Sequence, residues 1–211
     1  SDVYKRQAVG VMIVCSGASE KQLTDMLNTL DKYGVKGTFY VTGDFVRRNP
    51  ERIQRIIDAG HELGSHGNNL INMTEVSYAR VQENIRELND LCEETFGVRP
   101  RLFCAHLGAT NSIVTAIARA EGVEDCLFAI DACDWSDAYK DKVYQMVYRV
   151  TSDRVTSGCV VQFHINGYHT AEVLDKALDN WINVKGLRPV TVGEFCLLYT
   201  SPSPRDRSLS R

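Results

Sequence analysis

The chain has 211 residues, 44% hydrophobic and 24% charged, with a formal net charge of −3. That is enough for one domain with a full core. The charge balance excludes a basic nucleic-acid surface, and no apolar run approaches the roughly 20 residues of a membrane span.

The ends differ from the middle. Ser1-Asp2-Val3-Tyr4-Lys5-Arg6-Gln7 back-translates to TCA GAT GTG TAT AAG AGA CAG, which resembles the transposon end of sequencing-library preparation. Cys196-Leu197-Leu198-Tyr199-Thr200-Ser201 back-translates to its reverse complement in a shifted frame. Pro202-Ser203-Pro204-Arg205-Asp206 continues as the attached adapter would. Residues 1–7 and 196–211 are therefore expected to be translated adapter, and the domain is expected over 8–195. An upstream leader or membrane anchor would have been cut away, so the sequence leaves anchoring open.

Residues 8–14 read as a buried strand. Ser19 with Gln22 fits a capping box, and Leu23, Met26, Leu27 and Leu30 follow at helical spacing up to Gly34. Residues 37–41 form the second strand, and Asn49-Pro50 starts a helix that ends at Gly60. A short strand then leads to His66. Residues 74–96 read as the longest helix. Strands are expected at 102–104, 126–130, 160–163 and 189–192, with helices at 111–121, 137–156 and 170–184 between them. Repeated strand–helix units imply parallel strands joined by right-handed crossovers. Seven strands with outer helices favour a closed or nearly closed barrel over an open doubly wound sheet.

In such barrels chemistry sits at the C-terminal strand ends. Those ends carry Cys15-Ser16-Gly17, His66, Cys104-Ala105-His106-Leu107-Gly108, Asp131-Ala132-Cys133-Asp134-Trp135 and His164. Six cysteines fall within 8–195: Cys15, Cys92, Cys104, Cys126, Cys133 and Cys159. An even number permits disulfides. However, Cys92, Cys126 and Cys159 lie in apolar patterns, where a cysteine is ordinarily a small buried hydrophobe.

Four stretches together resemble the polysaccharide deacetylase (NodB homology, carbohydrate esterase 4) family. They are Gly37-Thr38-Phe39-Tyr40-Val41-Thr42-Gly43, Gly60-His61-Glu62-Leu63-Gly64-Ser65-His66, Asp131-Ala132-Cys133-Asp134-Trp135 and Val160 to His164. The resemblance implies an α/β fold, a distorted (β/α) barrel of the NodB type. It implies metal-dependent de-N-acetylation of a glycan: a divalent metal, usually zinc, held by one aspartate and two histidines. A second aspartate serves as general base, an arginine orients it, and a histidine paired to an aspartate is the general acid. It also implies an extracytoplasmic or cell-envelope location and an N-acetylated partner, peptidoglycan or chitin-like.

Several positions depart from that pattern. The family's Thr-Phe-Asp-Asp-Gly falls on Ile13-Val14-Cys15-Ser16-Gly17, so Cys15 takes the base position and Ser16 the metal-aspartate position. The two metal histidines fall on His66 and Leu70. The family's Arg-Pro-Pro-Tyr-Gly falls on Cys104-Ala105-His106-Leu107-Gly108, so the arginine is gone. His164 and Asp134 match the acid pair, Trp135 a pocket wall, and Gln162 stands where a leucine usually lines the acetyl pocket. Asp131 and Leu107 join Trp135 and Gln162 as expected substrate contacts.

A hydroxyl and one imidazole hold zinc poorly, so the leading expectation is a domain without cofactor that binds an N-acetylated glycan and does not hydrolyse it. One alternative is a hydrolase with a rebuilt zinc site of Cys15, His66, Cys104, His106 and His164. Cys15 as an activated nucleophile is another, and a structural domain of a cell-envelope protein is a third. A Cys15–Cys104 disulfide is not expected, because the arginine position is too remote for two short side chains.

Overall fold

The structure, a computed structural model, describes residues 7–200, so 1–6 and 201–211 of the expected adapter ends lie outside the described residues. Its frame is strand β1 (Ala8–Cys15), every residue of which is buried. Side chains alternate across a strand. Val9, Val11, Ile13 and Cys15 therefore enter the apolar layer under the helices, and Met12 packs on the barrel's inner side with Tyr40 and Cys104.

Helix α1 (Glu20–Lys32) starts at the expected capping box. Ser19 Oγ accepts the Gln22 amide at 3.1 Å, and Gln22 Oε1 accepts the Ser19 amide at 3.0 Å. Such a cap stabilises a helix by about 1 kcal/mol. Leu23, Met26 and Leu30 bury the inner face. Strand β2 (Thr38–Val41) leads to α2 (Gly43–Arg48) and α3 (Pro50–Asp58). Asn49 sits at the start of α3 but makes no side-chain cap bond. The same residue closes α2, with φ −138° and ψ 59°, and that geometry turns its amide toward Glu51 instead.

Strand β3 (Glu62–Ser65) ends immediately before His66. Helix α4 (Tyr78–Phe96) begins four residues later than the apolar pattern suggests, because Ser77 caps it by accepting the Arg80 amide. Then follow β4 (Leu102–Phe103), α5 (Ser112–Ala120), β5 (Glu124–Asp125) and β6 (Ile130–Asp131). The single strand expected at 126–130 does not form. The Cys126 amide bonds the Phe103 carbonyl on one side of the barrel, and the Ala129 amide bonds Val160 on the other. These residues cross between the two edge strands, so neither side can continue a ladder.

Helix α6 (Val143–Thr151) is shorter than expected, because the chain first makes a 3₁₀ turn at Asp137–Tyr139 whose Asp137 carboxylate is taken by the Tyr168 hydroxyl. Strand β7 (Val160–His164), α7 (Thr170–Asp179) with a π-helical turn at Asn180–Val184, β8 (Arg188–Val190) and α8 (Val192–Thr200) complete the chain. Helix α8 runs past the expected boundary at 195; Cys196 packs beside the inner cluster, and the Tyr199 hydroxyl donates to the Ala8 carbonyl at 3.3 Å.

All described strand pairs are parallel, in the order β5-β4-β3-β2-β1-β7-β6, with β8 on the first residues of β1. The sheet curls into an incompletely closed (β/α) barrel whose gap is spanned by 126–129.

The loop after β3 hangs on α4. Asn84, fully buried, accepts the amides of Asn68 and Asn69 and donates to the Asn69 carbonyl at 3.1 Å. Asn68 in turn holds Glu87 and accepts from Arg47. Gly67, at φ 84°, brings its backbone against Asn84 where a Cβ would lie 2.6 Å from Asn84 Oδ1. Asn84→Ala should remove the side-chain acceptor shared by the Asn68 and Asn69 amides, leaving the Asn68 amide only the residue-84 carbonyl at 3.2 Å, and lower stability by about 1–2 kcal/mol. Urea unfolding checks this, and an unchanged midpoint would refute it.

Candidate functional site

A cavity of about 360 Å³ opens at the C-terminal ends of the strands. Its walls come from the ends of β1 (Val14, Ser16), β3 (His66, Leu70) and β4 (His106, Leu107), and from Asp131, Trp135, Gln162 and His164. Phe128 and Asn166 also line it, and neither falls in the motifs that mark the other lining residues. Asn166 was findable as a polar residue just past a strand end. Phe128 was hidden inside an apolar run that reads as a strand.

The retained pair is the best-built part. Asp131 Oδ1 accepts the Cys133 amide at 2.9 Å, and Cys133 adopts the left-handed φ of 60°. This tight turn sends Asp134 inward, to 0% exposure, and leaves Trp135 56% exposed. Asp134 Oδ2 accepts the His164 amide at 2.9 Å, and Oδ1 faces His164 Nδ1 at 3.1 Å. The Thr170 hydroxyl lies 2.8 Å from both Asp134 Oδ2 and the His164 carbonyl. A carboxylate at Nδ1 requires a proton there, so Nε2 is the nitrogen left for other partners. The Trp135 indole donates to Asp131 Oδ2 at 2.8 Å and meets His164 edge-on, centroids 6.5 Å apart.

His66 is 5% exposed. Its Nδ1 lies 2.6 Å from the Cys104 carbonyl, so Nδ1 carries the hydrogen and Nε2 the lone pair. Burial lowers its pKa to about 4, so the ring is neutral at ordinary pH. His106 stands edge-on to it, centroids 6.0 Å apart, and burial lowers its pKa as well. His61 lies outside the cavity. Its Nδ1 accepts the Gly37 amide at 3.1 Å, and burial lowers its pKa to about 4.

The structure separates residues that the sequence had grouped. Cys15 does not face the cavity. Strand alternation turns it into the apolar layer below the helices, where burial pushes its thiol pKa up. Cys104 belongs to the inner cluster, with Sγ 3.8 Å from Gln162 Oε1 and its pKa pushed up to about 12 by burial. The thiols lie in different clusters, and the proposed five-residue Cys/His set does not assemble. Nor does Cys15 have the environment of an activated nucleophile, which needs a lowered thiol pKa.

Among the described residues, only Asp131, Asp134 and His164 bring three potential ligand atoms within 4.8 Å of one another. Both carboxylates already accept hydrogen bonds on both oxygens. A cation there would have to compete with donors fixed by the backbone.

A profile of the family described as Polysaccharide deacetylase matches residues 16–125, just over half of the chain. The chain belongs to that family. It is 32% identical over 173 residues to the uncharacterized protein YlxY of Bacillus subtilis, covering 82% of this chain and 52% of that one. It is 28% identical over 179 residues to the peptidoglycan-N-acetylglucosamine deacetylase PgdA of Listeria monocytogenes, covering 85% of this chain and 37% of PgdA. Among solved structures, BA3943 of Bacillus anthracis, a CE4 family pseudoenzyme, superposes with TM-score 0.83 at 22% identity, over 91% of this chain and 66% of that one. At that identity the likeness is one of fold. The chain spans about half the length of the curated relatives it matches.

The two buried histidines set an acid response. The unfolded chain takes up these protons near 6.5 and the folded chain near 4, so the unfolded state binds more protons between those values. Their contribution to stability is therefore complete above pH 6.5, falls as pH drops toward 4 and then levels off. The slope is at most about 1.4 kcal/mol per pH unit for each ring. His66→Gln should reduce that slope, and NMR of the imidazole nitrogens should show a neutral, Nδ1-protonated His66 at pH 6. A His66 ring titrating near 6.5 would contradict the burial argument.

Proposed function

We propose that this domain is a polysaccharide deacetylase-family member that binds an N-acetylated glycan without hydrolysing it. The observation that carries this reading is the composition of one wall. His66, Ser16 and Leu70 face the same cavity, and only His66 offers a strong ligand atom. Leu70 has no donor atom, and a serine hydroxyl ligates a divalent metal poorly unless ionised. This donor set does not fit the family's metal. No carboxylate stands at the base position either, since Cys15 packs under the helices.

Binding features remain. Trp135 offers an exposed face for the apolar side of a sugar ring. Asp131, Gln162 and the Nε2 atoms of His66 and His164 supply acceptors and donors for hydroxyl and acetamido groups. Leu107, held at φ 63° and 73% exposed, contributes an apolar rim. A glycan of the peptidoglycan or chitin type suits this mixture. PgdA, a peptidoglycan-N-acetylglucosamine deacetylase, supports the same class and a place at the cell envelope, outside the cytoplasmic membrane. Among the described residues, no helix is long and apolar enough to cross a membrane.

Calorimetry with chitotetraose, paired with an acetate-release assay, tests the reading. We expect saturable binding with no acetate released, and a roughly ten-fold or greater loss of affinity, about 1.4 kcal/mol or more, in Trp135→Ala. Acetate release that stops with chelator would overturn it.

Zinc titration gives a second check. The natural chain should hold no stoichiometric zinc, and Ser16→Asp combined with Leu70→His should hold about one per chain. Both positions are partly exposed, so the pair should fold. Tight zinc in the unsubstituted chain would favour a hydrolase instead.

A further inference from the structure

A second cavity, about 280 Å³, lies on the other side of β6. Ile130 lines this one and Asp131 lines the first. Consecutive strand residues point to opposite faces, so the two cavities stand back to back across an edge strand. The second is also lined by Tyr139, Tyr144, Tyr148, Arg149 and Arg154, together with Gln145 and Ser152.

Three features give it the character of a ligand site. Tyr144 and Tyr148 are 82% and 65% exposed, one turn apart on α6, yet they border a concavity. Aromatic rings so placed offer flat apolar faces with polar tips. Arg149 is held in place: its Nε donates to the Asp131 carbonyl at 2.9 Å, and its guanidinium lies 5.9 Å from the centre of the Tyr139 ring. Most described arginines pair with a carboxylate, as Arg52, Arg55, Arg86 and Arg99 do, but neither Arg149 nor Arg154 is in an ion pair among the described residues. Two unneutralised guanidinium groups beside aromatic faces complement a flat ligand that carries a carboxylate.

We infer that this cavity is a second sugar subsite and takes a carboxylate-bearing pyranose. The tyrosine faces receive the ring, Gln145 and Ser152 reach its hydroxyls, and Arg149 and Arg154 receive the carboxylate. The volume suits one sugar unit. The inference rests on the glycan-binding reading of the first cavity, which selects a sugar from among flat anions. Asp131 links the sites mechanically: its carbonyl holds Arg149 in the second while its carboxylate holds Trp135 in the first.

Calorimetry on the whole chain would use two probes. One is neutral chitotetraose; the other is a tetrasaccharide alternating N-acetylglucosamine with N-acetylmuramic acid, which carries carboxylates. The natural chain should prefer the acidic probe at least ten-fold. Tyr148→Ala combined with Arg154→Gln should erase that preference and leave chitotetraose affinity unchanged. Both side chains are exposed, and an unchanged melting temperature would confirm that the variant is folded. Equal affinity of the natural chain for both probes, or a preference that survives the double substitution, overturns this inference and leaves the glycan-binding reading standing. Failure of the natural chain to bind either probe overturns both. A dimer in sedimentation that Tyr148→Ala dissolves would assign the face to a second copy of the chain and overturn the inference as well.

Discussion

Strand β1 is buried on both faces, and the rest of the barrel takes its register from it. It pairs in parallel with β2 on one side, β7 on the other and β8 along its first residues. Each large side chain fully buried on either face contributes roughly 1.5–3 kcal/mol. A slip of one residue would exchange the two sets, which makes the phase of alternation strongly determined. That phase decides the chemistry at the strand's end. Val14 and Ser16 look into the cavity, and Cys15 looks into the helical layer.

Asp134 is the second organising group. A carboxylate at 0% exposure is costly unless its oxygens are satisfied. Here the end of β7 and the start of α7 supply the donors. The same residue's backbone carbonyl accepts the Tyr168 amide at 2.7 Å. The left-handed turn at Cys133 is thus fixed from several directions, and with it the position of Trp135.

This architecture explains how, on the proposed reading, the Asp134–His164 pair can stand without a metal beside it. Removing Asp134 would strip acceptors from the His164 amide, the His164 ring and the Thr170 hydroxyl. Replacing a ligand at position 70 leaves nothing comparable unsatisfied, since Leu70 is 48% exposed on the cavity rim. The pair therefore has a structural role that does not depend on catalysis, whereas the Leu70 side chain supports no comparable network. On the proposed reading, the contacts that hold Trp135 and His164 are independent of positions 16 and 70.

Most of the barrel was legible in the sequence, because its signals are local. The capping box at Ser19 and Gln22, the apolar run of β1 and the glycines at turns act over a few residues. Leu70 and Ser16 were legible too, since the absence of a ligand atom is a property of the residue itself. The segment 126–130 was misread because its apolar composition suits a strand, while its two ends bond to opposite edges of the barrel. Cys15 was misplaced because a motif assigns a position along the chain and not the face to which a side chain points. The sequence alone determined which atoms are available: one strong metal ligand at the expected positions, a carboxylate–imidazole pair, and arginines and tyrosines in one helical segment. Only the tertiary structure decided which of them meet. Strand phase, the gap between β5 and β6 and the burial of Asp134 are set by packing among residues far apart in the chain, and those contacts are not encoded in any short stretch.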